Sequence, residues 1–234
     1  MRLGVRKRKA VPRRGRLAKE GAVARRLRAQ AVYRGLRHLY PDAHCELDYA
    51  DPFELAVATI LSAQCTDKRV NMVTPVLFGR FPDATALAAA STRDVEDIIK
   101  STGFFRTKAR HILGFSRAVV ADHGGEVPRR MAELVKLPGI GRKSANVIIG
   151  NAFRRNEGIA VDTHVARVAN RLGLTRETDP VKIEADLSRL FARRTWTMLS
   201  HLLIWHGRRT CHARKPRCGE CAIAPLCPSA GTFG

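Results

Sequence analysis

The segment from Leu134 to Ile149 constrains the folding of this chain more than any other. Leu134 and Leu137 precede Pro138-Gly139-Ile140-Gly141, and Ala145, Val147 and Ile148 follow it, so two apolar helix faces bracket a short hairpin. Pro138 biases Leu137 out of the helical region and ends the first helix. Gly139 can adopt φ > 0, and Gly141 places no side chain between the backbone and an anion at the start of the second helix. The free N–H groups there, with the positive end of the helix dipole, make a seat for a phosphate. This is a helix-hairpin-helix pattern, in which backbone contacts hold a phosphate chain and base sequence goes unread. Leu137, Gly139, Gly141 and Arg142 are therefore candidate contacts to nucleic acid.

From Glu20 onward the punctuation is helical, and no alternating strand pattern runs longer than a few residues. The fold class is all-α, with about ten short helices on ordinary helix lengths. Asp51-Pro52-Phe53-Glu54 combines an N-cap, a proline at the first helical position and a capping carboxylate, opening an apolar helix through Leu61. Ser91 with Asp94 repeats the device, and Asp179-Pro180 does so before Val181 to Phe191. Gly124-Gly125 closes a helix that begins near Thr107.

The 234 residues suffice for one or two domains with a real core. A net charge of +21 alongside 45% hydrophobic residues excludes disorder throughout and calls for a polyanionic partner. The charge is concentrated at one end: residues 1–40 carry 14 Lys or Arg against the single acid Glu20. Residues 1–19 show no apolar periodicity and read as a disordered basic arm that scans nucleic acid, although the same Arg-rich, acid-poor composition is that of an organellar transit peptide. No apolar run is long enough to span a membrane, and no secretory signal opens the chain. A cytoplasmic, nucleoid-associated protein is expected, and its six cysteines are not expected to form disulfides.

Lys143 falls in the first turn of the helix that follows the hairpin, where a cation is disfavoured by the helix dipole. A phosphate contact is one reading. A nucleophilic amine is the other: at an ordinary pKa near 10.4, only about one lysine in 2,500 is free base at pH 7, so a site that disfavours the ammonium serves nucleophilic attack. Downstream, Asp162 precedes Thr163-His164-Val165-Ala166-Arg167-Val168 and reads as an N-cap. Capping does not preclude catalysis, because a capped carboxylate is rigid and ionised. Such a group can deprotonate an amine or stabilise cationic charge developing on a sugar. His164 reads as a packing or supporting residue.

The third signal is Cys211, Cys218, Cys221 and Cys227, spaced C-x6-C-x2-C-x5-C. Four such close thiolates point to a metal, and both structural zinc and a 4Fe-4S cluster accept them. Arg214, Lys215 and Arg217 lie between the first two cysteines, a basic knuckle suited to phosphates. Cys45 and Cys65 read as small buried apolar residues.

The segments Leu137–Val147, Val161–His164, Leu61–Asp67 and Ala213–Gly219 with the four cysteines resemble the endonuclease III family of bifunctional DNA glycosylase/lyases, over nearly the whole chain from Val32 to Cys227. The resemblance implies a two-domain helix-hairpin-helix glycosylase fold with DNA across the interdomain cleft. A six-helix barrel domain (45–155) would hold the hairpin, and an iron-sulfur cluster domain would combine residues 20–44 and 156–234. Lys143 matches the family's Schiff-base lysine, Asp162 its catalytic aspartate, and the four cysteines its 4Fe-4S ligands. Gln64 falls where the family inserts a glutamine into the space left by the extruded nucleotide. Phe104, after Gly103, falls where many members carry a leucine wedge; core packing is the alternative for Phe104 and Phe105.

What the resemblance implies is removal of oxidised pyrimidines from duplex DNA by a monomer in base excision repair, with the strand cut 3′ to the lesion by β-elimination. One rival is the adenine-specific mismatch glycosylase, which shares hairpin and cluster but has no lysine at the nucleophile position. Another is a non-catalytic iron-sulfur DNA-binding damage sensor, which would need neither Lys143 nor Asp162.

Overall fold

The computed structural model describes residues 20–232, so the expected basic arm, residues 1–19, lies outside them. Among the described residues every regular element is helical: eleven α-helices joined by loops and short 3-10 turns. The first five are α1 (Ala22–Leu39), α2 (Pro52–Leu61), α3 (Asp67–Arg80), α4 (Ala84–Ala89) and α5 (Thr92–Ile99). After them come α6 (Phe105–His123), α7 (Met131–Leu134), α8 (Arg142–Asn151), α9 (Thr163–Arg171), α10 (Pro180–Leu190) and α11 (Trp196–Arg209).

Local capping sets most of these starts. Asp51 Oδ1 accepts from Glu54 N at 2.9 Å while Glu54 Oε2 accepts from Ala50 N at 2.6 Å, a reciprocal pair that opens α2. Ser91 Oγ accepts from Asp94 N, and Asp179 Oδ1 from Val181 N and Lys182 N. Helix α6 begins two residues before the expected Thr107, because Phe104 takes a left-handed conformation and turns the chain directly into it. It ends as anticipated at Gly124 and Gly125, both with positive φ.

The described residues divide into two compact units: residues 44–160 with 193–197, and residues 20–43, 161–192 and 198–232. Residues 156–160 and 193–197, expected in the cluster domain, thus fall within the first of these. The reason is visible at Thr197, whose N–H and hydroxyl both donate to Asn156 Oδ1, at 2.9 and 2.8 Å.

In the first unit α2 is the central element. Eight of its ten residues are buried, and it packs against α3, α6 and α8, while α4 and α5 lie against α6. One apolar core runs from Leu47 to Ile149, and a helix buried on nearly every side is what a segment such as Phe-Glu-Leu-Ala-Val-Ala-Thr-Ile-Leu favours. In the second unit α1 and α9 both pack against α10. Gly35 lets α1 approach the cysteine loop: a Cβ there would sit 2.6 Å from Ile223 Cγ2. Glu20, the one acid in a basic stretch, makes a bidentate pair with Arg28 at 2.8 and 2.9 Å, which lowers the Glu20 pKa. The same guanidinium donates to the Leu172 carbonyl at 2.6 Å, tying α1 to the end of α9.

Candidate active site

The hairpin is built from the core outward. Leu134, Leu137 and Ile140 are buried, and Ile140 N donates to Leu137 O at 3.1 Å to close the turn. Leu137, expected as a DNA contact, is instead buried, and its N–H donates to Leu134 O at 3.0 Å while its carbonyl accepts from Ile140 N, so its polar groups are spent closing the turn. Gly139 has φ +79°, and a Cβ there would meet His111 Cβ at 2.9 Å, so glycine is required twice over. Gly141 is the N-cap of α8 and supplies no side-chain cap, with open space where a Cβ would be. No side chain caps the positive end of the α8 dipole, the end that favours an anion. Arg142 and Lys143, the first two residues of α8, are both exposed, and the half-buried Cys45 thiol, expected to be buried, lies in the field of the Lys143 ammonium.

Two further turns of this unit carry predicted DNA contacts. Gln64 is exposed in the turn after α2, closed by Cys65 N donating to Ser62 O at 3.1 Å. Phe104 is 73% exposed, whereas Phe105 packs against the core with the Arg106 guanidinium over its ring. Core packing is thus the role of Phe105 alone. Among the described residues four non-glycines have positive φ, and three of them are the predicted contacts Gln64, Phe104 and Lys215. Each left-handed residue costs roughly 1–2 kcal/mol, and such strain gathers at functional positions.

In the other unit Asp162 caps α9, its Oδ1 accepting from Val165 N at 2.8 Å, while Oδ2 takes no hydrogen bond among the described residues. The side chain is held and half-buried, with one oxygen left for chemistry. Behind it, Arg167 Nη2 donates to Gly207 O at 2.9 Å and to Cys211 O at 3.2 Å, and meets His164 Nδ1 at 3.1 Å. Burial lowers the His164 pKa, so the ring is neutral at pH 7 and serves as a packed supporting group.

Cys211, Cys218, Cys221 and Cys227 line one cavity, and none is in a disulfide. Four cysteines around a common cavity are the donor set that an iron-sulfur cluster takes. Burial raises the Cys221 thiol and pushes Cys227 up to about 11, so thiolates at these two positions need the positive charge of a metal centre. Arg171 supports the loop from the end of α9, donating to Cys211 Sγ, His212 O and Ala213 O. Arg214 and Lys215 are exposed and carry no hydrogen bond or ion pair among the described residues, whereas Arg217 is tied to the Arg209 carbonyl.

Residues 57–193 match the HhH-GPD superfamily of base excision DNA repair proteins, and residues 211–227 match the iron-sulfur binding domain of endonuclease III. Endonuclease III of Synechocystis sp. is 54% identical over 207 residues, covering 88% of this chain and 94% of that one. The chain belongs to the endonuclease III family. Two solved structures from this family, a non-covalent endonuclease III–DNA complex and a trapped endonuclease III–DNA covalent intermediate, each superpose with a TM-score of 0.85 at 39% identity, covering 88% of this chain and 97% of theirs. A thermostable thymine-DNA glycosylase, 20% identical with a TM-score of 0.79, shares the fold.

As a member of the endonuclease III family the protein is a DNA glycosylase and AP lyase of base excision repair, binds DNA and carries one 4Fe-4S cluster. No helix among the described residues is long and apolar enough to cross a membrane. Sequence reasoning missed Arg28, Arg167 and Arg171, whose guanidiniums bind backbone carbonyls far away in sequence; nothing in the local pattern distinguishes them from the surface arginines around them.

Proposed function

We propose that this endonuclease III-family protein removes oxidised pyrimidines from duplex DNA and cuts the strand 3′ to the lesion, with Lys143 as nucleophile and Asp162 as its carboxylate partner. The observation that carries the reading is Lys143 itself: an exposed amine in the first turn of α8, on the helix end that no side chain caps. The trapped covalent intermediate of a 39% identical relative supports covalent chemistry of this kind.

The lesion nucleotide is extruded from the stack to reach these groups. Asp162 takes a proton from the Lys143 ammonium. Nζ then forms a bond to C1′ as the bond to the base breaks and its electron pair leaves with the base, cationic charge on the sugar being stabilised by the carboxylate. Ring opening gives a protonated imine, which acidifies the C2′ hydrogen. Loss of that proton breaks the C3′–O bond, and the pair leaves on the phosphate. Gln64 and Phe104 fill the gap in the duplex. Backbone N–H groups at Gly139 and Gly141, with Arg142, hold the phosphates at the hairpin, and Arg214, Lys215 and Arg217 hold them at the cluster loop. The 4Fe-4S cluster, bound by Cys211, Cys218, Cys221 and Cys227, supplies iron–thiolate bonds that shape this basic loop.

One chain contributes every group this reaction needs, so the protein acts as a monomer, at the nucleoid in the cytoplasm. Borohydride added to enzyme and a duplex carrying an oxidised thymine is expected to trap a covalent protein–DNA adduct. No adduct from the wild type, or the same adduct from Lys143→Gln, overturns the assignment.

A further inference from the structure

Lys108, in the first turns of α6, is the one lysine or arginine buried among the described residues, with 3% of its surface exposed. Its Nζ donates to the Thr102 carbonyl at 2.7 Å, and its backbone N–H donates to the Phe104 carbonyl at 3.0 Å. These two carbonyls flank Gly103, so a single residue grips the turn that presents Phe104 from both sides. Thr102 is itself buried and anchored, its hydroxyl donating to the Ile99 carbonyl at 2.8 Å. The ammonium also lies in the field of the Cys65 thiol, the residue that follows Gln64 in the other outward turn. Among the described residues no carboxylate pairs with it. Burial alone accordingly drives its pKa down, with Cys65 acting weakly the other way.

A buried ammonium with so few partners is a costly way to fill space that a methionine would fill. The expense is explained if the charge binds backbone groups that no apolar side chain could hold. We propose that Lys108 is a positioning residue, its buried ammonium bonded to the Thr102 carbonyl, which fixes the turn carrying Phe104 for insertion into the duplex. The inference rests on the reading of Phe104 as a residue that fills the gap in the duplex.

The test compares substrates that do and do not require insertion. Lys108→Met removes the charge while keeping the volume, and its thermal midpoint is expected at or above that of the wild type. Gly103→Ala strains the same turn by another route: Gly103 has φ +70° and nothing within 4 Å of an added Cβ, so the core is untouched. Each variant is expected to slow single-turnover base release from a duplex carrying an oxidised thymine about tenfold, the scale of a slightly misplaced group. The fluorescence rise of 2-aminopurine opposite the lesion falls in parallel. Borohydride trapping on a single-stranded abasic oligonucleotide stays within about twofold, and the double variant is no slower than the slower single one, because both remove one shared constraint. Equal losses on both substrates, a duplex rate within about twofold of wild type, or multiplying losses in the double variant overturn the proposal. Phe104→Ala separates the two readings: duplex-specific loss in Phe104→Ala without loss in Lys108→Met defeats the role of Lys108, and no loss in Phe104→Ala defeats the reading of Phe104 on which it rests.

Discussion

The helices α8 and α9 begin in opposite ways. Gly141 leaves the start of α8 without a side-chain cap, whereas Asp162 caps α9 through Oδ1. In residues 44–160 every α-helix longer than four residues is capped by an Asp, Ser or Thr side chain except α6 and α8, which begin at Phe104 and Gly141. A missing cap costs roughly 1 kcal/mol at a residue such as phenylalanine and only a few tenths at glycine. The protein bears that cost at the two helix starts where DNA is proposed to approach, and it uses the cap on α9 to hold a carboxylate still. One open end binds phosphate, and one closed end keeps a charged oxygen in place.

The sharpest break in this comparison is the removal of the amine beside the open end. Lys143→Gln is expected to abolish base release and strand cleavage while leaving duplex affinity within about threefold, because an amide cannot form the imine. Gel-resolved cleavage and a binding titration on the same duplex check both halves.

The next test divides the two tasks of Asp162. Asn caps about as well as Asp, so Asp162→Asn is expected to leave the thermal midpoint nearly unchanged while lowering single-turnover cleavage by about 10²–10⁴-fold. Asp162→Ala loses both tasks, and its midpoint falls by about 2–4 °C for a loss of ~1 kcal/mol. Asparagine activity within about threefold of wild type would leave Asp162 with the capping role alone.

Closing the open end has a smaller effect. Gly141→Asp has room for its side chain and is expected to stabilise the fold by a few tenths of a kcal/mol. The new carboxylate meets the phosphate instead, so affinity falls by about tenfold on the ~1.4 kcal/mol scale of one displaced charged contact. Unchanged DNA binding would show that the start of α8 seats no phosphate.

The smallest effect on turnover is expected from deleting residues 1–19, which hold nine Lys or Arg and no acid. If about three to five of these charges meet phosphates, the slope of log affinity against log salt becomes shallower by about 3–4, for damaged and undamaged duplexes alike. Single-turnover cleavage at saturating enzyme stays the same. An unaltered slope means that the arm does not contact DNA.

Local chemistry was legible from the residues. The caps at Asp51, Ser91 and Asp179, the paired glycines that end α6, the Gly139 turn and the four-cysteine spacing each depend on groups within a few positions of one another, so their partners could be named in advance. The separation of Phe104 from Phe105 could not be, since two adjacent phenylalanines carry the same pattern and only the left-handed turn sends one outward.

The sequence by itself determined the helical class, the phosphate-binding hairpin, the cysteine loop and the residue types available for chemistry, because capping, turn and ligand spacing are satisfied over short stretches of chain. Tertiary structure alone decided that Leu137 faces inward, that Lys108 is buried beneath the Phe104 turn, that Arg171 holds the cysteine loop and that Asn156 recruits Thr197. Each of those outcomes turns on burial or a hydrogen bond set by residues distant in the chain, and no local pattern encodes which of many similar arginines, lysines or leucines the packing will enclose.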